Sequence, residues 1–426
     1  MKLSILLFGV SAFIGSALAD AVVVNDGVTK GVIPEEYIVV YKADADKASR
    51  RKHQDNVDSI AKKRKKGGVK QTFEGIPGFT AYTVQIAQED LPTILKSNVV
   101  KYVEKNTAYS LSMIDSTPAR GNNVPGANTV VDAAVNASTG VTKRYLVNQP
   151  TAYSWGLTRI SHKYRSAATN YIYDTSAGFG TRVYVVDSGI MTTHQEFGGR
   201  ATFGANFVTG SPNTDEFGHG THVAGTVGGH YIGVAKATNL IAVKVLDKNG
   251  AAYGGISTMY WGTYWAAVNA LNAGKGSVSV INISLHVGVV WQAWNDLITA
   301  ITNAGVTVVV AAGNDNRDAR LDSPSSTPSA ITVGATDSTD SKAVDLFAPG
   351  VSILSSYPSC TTCYQYMSGT SMASPHVAGL AVYFMAKDNI KGVVGVTNRI
   401  LSLATNGLVI NNMGAPNKLA YNGDGY

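Results

Sequence analysis

Cysteine is almost missing from this 426-residue chain, which has two, Cys360 and Cys363. A scaffold stapled by several disulfides is therefore excluded, and one such pair cannot complete a metal site by itself. In an exported protein the pair could close a tight local disulfide or stay as free thiols. A Cys-x-x-Cys redox reading lacks the βα context it needs. Long apolar runs are also missing: after Leu18 no stretch is long and apolar enough to span a bilayer. A basic surplus is missing from most of the chain as well. The formal charge is +6, yet Tyr145 to Tyr426 holds 16 Lys plus Arg against 15 Asp plus Glu, a net of +1. The surplus sits in Lys47 to Lys70, where ten basic residues face Asp55 and Asp58, a net of +8. Confined there, it reads as a solvated helix face rather than a nucleic-acid surface. Neither nucleic acid nor membrane is an expected partner.

What is present begins with Met1-Lys2, an apolar run from Leu3 to Leu18 and the small-residue end Ala17-Leu18-Ala19. This pattern reads as a signal peptide (residues 1–19) cleaved before Asp20, and so as a secreted product. Strand-like runs at Tyr37–Lys42, Gly78–Val84 and Val99–Glu104, with helical stretches between them, suggest a small α+β unit over residues 20–107. Its elements, from Tyr37 to Glu104, span about 70 residues, too few to be very stable alone. Residues 108–144 are polar, lack apolar periodicity and read as a flexible linker ending in the dibasic pair Lys143-Arg144. Cleavage there would leave Tyr145 as the mature N-terminus of a domain spanning 145–426. In that domain strands such as Val183–Val186, Leu240–Val245, Val278–Ile283 and Thr307–Ala311 alternate with helices such as Trp261–Leu271. The fold class is therefore α/β, three layers around a mostly parallel sheet. Asn136-Ala137-Ser138 is a plausible glycosylation site, whereas Asn282-Ile283-Ser284 lies in an apolar strand and is not expected to be used.

Four element ends carry chemistry. Ser371, in Met367-Ser368-Gly369-Thr370-Ser371-Met372-Ala373-Ser374-Pro375-His376, is delivered by a small-residue turn onto the first turn of an apolar helix. There the free N–H groups favour a developing oxyanion. Alone, such a serine is usually an N-cap. Asp187 ends the strand Arg182–Val186, at the carboxyl edge where open α/β sheets place their sites. His219 sits between Gly218 and Gly220, which allow close backbone approach. Its neighbour His222 reads as a packed residue. Asn314 follows the strand Val308–Ala312 and offers a side-chain amide as oxyanion donor.

With the order Asp, His, Asn, Ser, these motifs resemble the subtilisin superfamily, and within it the proteinase K-like secreted proteases of fungi. The resemblance implies Ser371 as nucleophile, His219 as general base then acid, Asp187 as its orienting partner, and Asn314 with the Ser371 N–H as oxyanion hole. It implies a secreted serine endopeptidase, made as a zymogen and acting as a monomer, with the 20–107 unit as intramolecular inhibitor. Protein or peptide substrates would lie extended between the Leu285 strand and Gly250–Ala252. Their primary pocket would be lined by Ser284, Leu285, His286, Ala311, Ala312 and Gly313, with an apolar or aromatic preference because those segments hold no carboxylate. Catalysis requires no cofactor; a structural calcium would be held at Pro328, Ala330 and Asp345. A lipase or esterase reading is opposed by the lack of a Gly-x-Ser-x-Gly elbow.

Three departures from that family stand out. His286 replaces a glycine in the substrate-pairing strand, Ala252 adds a methyl group on the opposite edge, and the stretch between Gly334 and Asp345 is about eight residues short of relatives. His286 and the short stretch support a rival reading, an inactive relative that binds peptides through the same cleft.

Overall fold

The computed structural model describes residues 20–111, 114–118, 145–165, 167–337, 344–410, 412 and 414–425. The expected signal peptide, the dibasic pair Lys143-Arg144 and the Asn136 sequon lie outside the described residues.

The leading unit is a five-stranded sheet in the order Val22–Val23, Val100–Thr107, Val32–Tyr41, Phe79–Gln85, Gly68–Ile76. Helix Lys47–Lys63 covers one face, burying His53, Val57 and Ala61 and leaving Lys47, Arg51, Lys52, Lys62 and Lys63 to solvent, while Arg50 is largely covered beside Glu74. The period-2 alternation of a strand then divides the apolar residues between two cores. Tyr37, Val39 and Tyr41 pack under the unit's own helices. Ile38, Val40, Phe73, Ile76, Phe79 and Tyr102 pack against the larger domain instead. Phe73 meets the rings of Tyr260 and Tyr264 edge-on, with centroids 4.7 and 5.1 Å apart. Each such pair contributes about 0.5–1.5 kcal/mol beyond area burial.

The larger domain is built on a nine-stranded sheet. Its central strands, Ala201–Asn206, Asn239–Lys244, Arg182–Asp187, Ser279–Ile283, Thr307–Ala311, Ile331–Thr336 and Leu346–Pro349, are parallel neighbours in that order. The middle strands Arg182–Asp187, Ser279–Ile283 and Thr307–Ala311 are buried on both faces, which explains their near-continuous Val and Ile content, whereas the edge strand Ala201–Asn206 is half-exposed. Val183 and Val185 face the core shared with helices His219–Gly228 and Thr370–Lys387. Tyr184 and Val186 face the core under helices Ile256–Asn272 and Gln292–Asn303. The registers Val185↔Asn282 and Ile283↔Val310 carry Asp187, Ser284 and Asn314 to one carboxyl edge.

Two expectations need revising. Gly68–Ile76 is a strand that the sequence did not announce, since its polar residues mask its alternation. Residues 108–144 are not linker throughout. Tyr109–Ser110 pairs antiparallel with Ala251–Ala252, and Ile114–Pro118 pairs with Tyr364–Ser368. Such pairing is made by backbone groups, so side-chain periodicity carries no trace of it. The short stretch after Gly334 leaves its flanking strands intact, because Val333 pairs with Leu346 and Gly334 with Phe347.

Candidate active site

Asp187 and His219 form a direct pair: the His219 Nδ1 lies 2.9 Å from both carboxylate oxygens, and the two residues are 0% and 3% exposed. The Ser188 N–H also donates to Asp187 Oδ1 at 2.7 Å. The histidine comes this close because of Gly220, where a Cβ would sit 2.1 Å from the Gly189 carbonyl oxygen and 3.1 Å from the Asp187 Cβ. Any side chain there would push the helix off the acid.

Asp215, unnoticed in the sequence, fixes the start of that helix. Its carboxylate accepts from the N–H groups of Phe217, Gly218 and Thr221 and from the hydroxyls of Thr221 and Ser188, at 2.7–3.1 Å. Acceptors at a helix N-terminus satisfy donors that have no partner within the helix. The Ser188 hydroxyl in turn accepts from Gly220 N–H at 2.9 Å. A Ser-Gly after Asp187 and an Asp four residues before His219 were the available signals. His222 is the packed residue it was read to be. Its Nε2 bonds the carbonyls of Ile353 and Gln365, and burial pushes its pKa down to about 3.

Ser371 and Ser284 clasp each other. The Ser371 hydroxyl donates to the Ser284 carbonyl at 2.9 Å, and the Ser284 hydroxyl donates to the Ser371 carbonyl at 3.0 Å. That carbonyl is free because Pro375, four residues on, has no N–H to give it. Asn314 is held by its oxygen, which accepts from the N–H and hydroxyl of Thr370 at 3.0 and 3.1 Å. A Cβ at Gly369 would stand 3.4 Å from the Asn314 amide nitrogen and 3.5 Å from its oxygen, so the whole amide lies against that glycine.

The propeptide tail lies along this site. Leu111 N–H donates to the Gly250 carbonyl at 2.8 Å, and residues Thr107–Leu111 line one cleft with His286, Asn314 and Asp315. Gly250 has φ 74° and faces Phe217 and Leu111 so closely that a Cβ would lie 2.7 and 3.0 Å from them. Ala252 is tolerated within the pairing. His286 holds ordinary backbone, outside the set of non-glycine residues with positive φ. The glycine-to-histidine change therefore adds bulk without strain, and the imidazole Nδ1 meets Asp322 Oδ2 at 3.0 Å.

Cys360 and Cys363 are joined as a disulfide in the loop before Ser371. Asn282 is fully buried, its side chain bonded to Ser284, so the sequon there is closed. Asp345 takes the Thr332 N–H at 3.0 Å, its pKa is raised by burial, and it shares a cavity wall with Pro328. A cation would relieve that buried carboxylate, with Pro328 on the same cavity wall; Ala330 is not part of that lining. A second group, His286, Asp315 and Asp322, also brings three ligand atoms within 4.8 Å of one another, although Arg317 already approaches both carboxylates.

A parallel α/β sheet with an Asp–His pair, a helix-start serine and a fixed amide along its carboxyl edge defines a serine hydrolase. The family described as "Subtilase family" matches residues 178–419, and "Peptidase inhibitor I9" matches residues 36–112. The chain is 39% identical over 441 residues to "Alkaline protease 1" of Aspergillus clavatus, covering 99% of both. It is 39% identical to "Subtilisin-like protease 1" of Pseudogymnoascus destructans, covering 92% of this chain and 90% of that one. A solved structure described as a cold-adapted subtilisin-like serine proteinase superposes with TM-score 0.58 and 40% identity, over 63% of this chain and 97% of that one. The chain belongs to the subtilase family. It is a serine endopeptidase made as a zymogen, with an inhibitor-type propeptide folded onto its active site.

Proposed function

We propose that Ser371 attacks the scissile carbonyl, His219 takes and then returns the proton, Asp187 holds the imidazole, and Asn314 with the Ser371 N–H stabilises the oxyanion. The observation that carries this is the buried Asp187–His219 pair, which commits the imidazole to present Nε2 as base. The Ser371 hydroxyl rests on the Ser284 carbonyl and has to rotate toward that base to react. Collapse of the tetrahedral intermediate breaks the peptide C–N bond as His219 protonates the leaving amine. Water then hydrolyses the acyl-enzyme. Substrates lie extended along Gly250–Ala252, on the edge where the tail pairs in the zymogen.

The product is secreted as a monomer, without nucleic-acid or membrane partners. In support of secretion, residues 1–19 have the composition of a leader and the two cysteines are joined as a disulfide. A structural calcium held by Pro328, Ala330 and Asp345 would tie two loops together. No catalytic step passes through it.

A serine-reactive phosphonate tests the reading. The matured protein should be labelled at Ser371, and Ser371→Ala should lose both label and peptidase activity, by about 10⁶-fold on the scale subtilisin itself sets. An unlabelled wild type, indistinguishable from Ser371→Ala, would sink it.

A further inference from the structure

We propose that the edge of Tyr364–Ser368, paired in the precursor with residues 114–118, is a second docking strand. In the mature enzyme it takes up the substrate residues on the carboxyl side of the scissile bond, which add to it as a β-strand. The inference rests on the reading of Ser371 as nucleophile. It carries the substrate site across from Gly250–Ala252, where the residues before that bond would lie.

The precursor's own chain shows what such an occupant looks like. Tyr109–Ser110 pairs antiparallel with Ala251–Ala252, and the Leu111 N–H still donates to Gly250. Only residues 112 and 113 follow before the same chain pairs antiparallel with a different sheet. There Ile114 stands opposite Ser368, Ser116 opposite Met367, Thr117 opposite Tyr366 and Pro118 opposite Gln365. The register shift at Asp115 is a one-residue bulge. Ser368 is three residues before Ser371, so this second pairing starts beside the proposed nucleophile and runs away from it.

The docking strand is fixed without residues 114–118. It is the middle strand of three, with Ile353–Ser356 on its other side. That neighbour is tied to the histidine helix: the hydroxyls of Ser355 and Ser356 donate to the carbonyls of His222 and Thr221 at 2.7 and 2.9 Å. At the far end the Cys360–Cys363 disulfide closes the turn, and the Tyr364 hydroxyl donates to buried Glu196 at 2.7 Å. When residues 114–118 leave, a row of backbone N–H and C=O groups loses its partners, and such an edge recruits extended chain. A strand already held in place pairs at a lower ordering cost than a mobile one.

Pro118 sets the phase of the pairing. Proline has no N–H, and in an edge strand it occupies positions whose donor would face away from the ladder. Donors alternate along an antiparallel strand, so the N–H of Thr117 is the one that faces Tyr366, and that of Ser116 faces away.

The test uses matured wild type and two end-capped peptides, residues 107–114 and residues 107–120, identical up to Ile114. The longer peptide should be cleaved with kcat/KM at least about tenfold higher, the effect of one to three backbone hydrogen bonds. N-methylation at Thr117 of the longer peptide should cost about 3–10-fold, whereas N-methylation at Ser116 should change cleavage by less than about twofold. Equal cleavage of the two peptides overturns the proposal, and so does an equal loss from methylation at 116 and 117. Retention of the enzyme's own residues 114–118 on the edge after maturation would give the first of these results. Phosphonate labelling separates the two readings. A labelled enzyme that treats both peptides alike sinks this one alone, and an unlabelled protein sinks the protease assignment.

Discussion

Two buried carboxylates each cap the start of a helix, and their differences separate the permanent from the releasable parts of the molecule. Asp215 gathers five donors at the head of the histidine helix, all from its own domain. Buried Lys244 lies near it, with Asp215 the largest of the charges that offset the lowering of the lysine's pKa by burial. Among the described residues, the Glu104 carboxylate, on the propeptide, accepts from Gln292 and Ala293 N–H at 2.9 and 2.8 Å, at the head of a helix in the other domain. Burial pushes the Glu104 carboxyl up to about 7, against the lowering effect of those two donors. Around Asp215 the chain is satisfied whether or not the propeptide is bound. Glu104 meets its donors only while the two domains are together, and protons compete for it there.

The comparison can be broken in order of effect. Asn314→Ala should lower kcat by about 10²–10³-fold with little change in KM, the scale of the corresponding donor's loss in subtilisin. Steady-state kinetics checks this, and propeptide affinity should not move. Asp215→Ala leaves five donors without an acceptor and should cost about 3 kcal/mol or more. Thermal unfolding should show that loss in the precursor and in the mature enzyme alike. A loss confined to the precursor would erase the distinction drawn above.

Glu104 predicts a pH dependence of propeptide binding. Its carboxyl titrates near 7 in the complex and near its ordinary 4.5 once free, so the complex holds more protons between those values. Binding should therefore weaken as pH rises from 4.5 to 7, by up to about a hundredfold from this group. The dissociation constant measured across that range checks it, and Glu104→Gln should flatten the profile. A dependence of opposite sign, or one unchanged in Glu104→Gln, would count against it.

The proposed site was legible because each of its residues follows a strand or begins a helix, so apolar periodicity stops beside Asp187, His219, Asn314 and Ser371. Asp215 and Asp322 were not, since they stand in irregular polar segments and reach their partners only through the fold. The clasp between Ser284 and Ser371 depends on Pro375 withholding a donor, a signal present in the chain but readable only beside Ser284. The tail strands escaped because a sheet edge recruits backbone, whatever the side chains say.

The division of the propeptide sheet between two cores makes activation a ratchet. While bound, Ile38, Val40, Phe73 and Phe79 are covered by the catalytic domain's helices. Once detached, that face has no cover, and the unit keeps only the smaller core on its other side. A released inhibitor of this construction is left with an apolar face bare to solvent in the presence of the protease it has just let go.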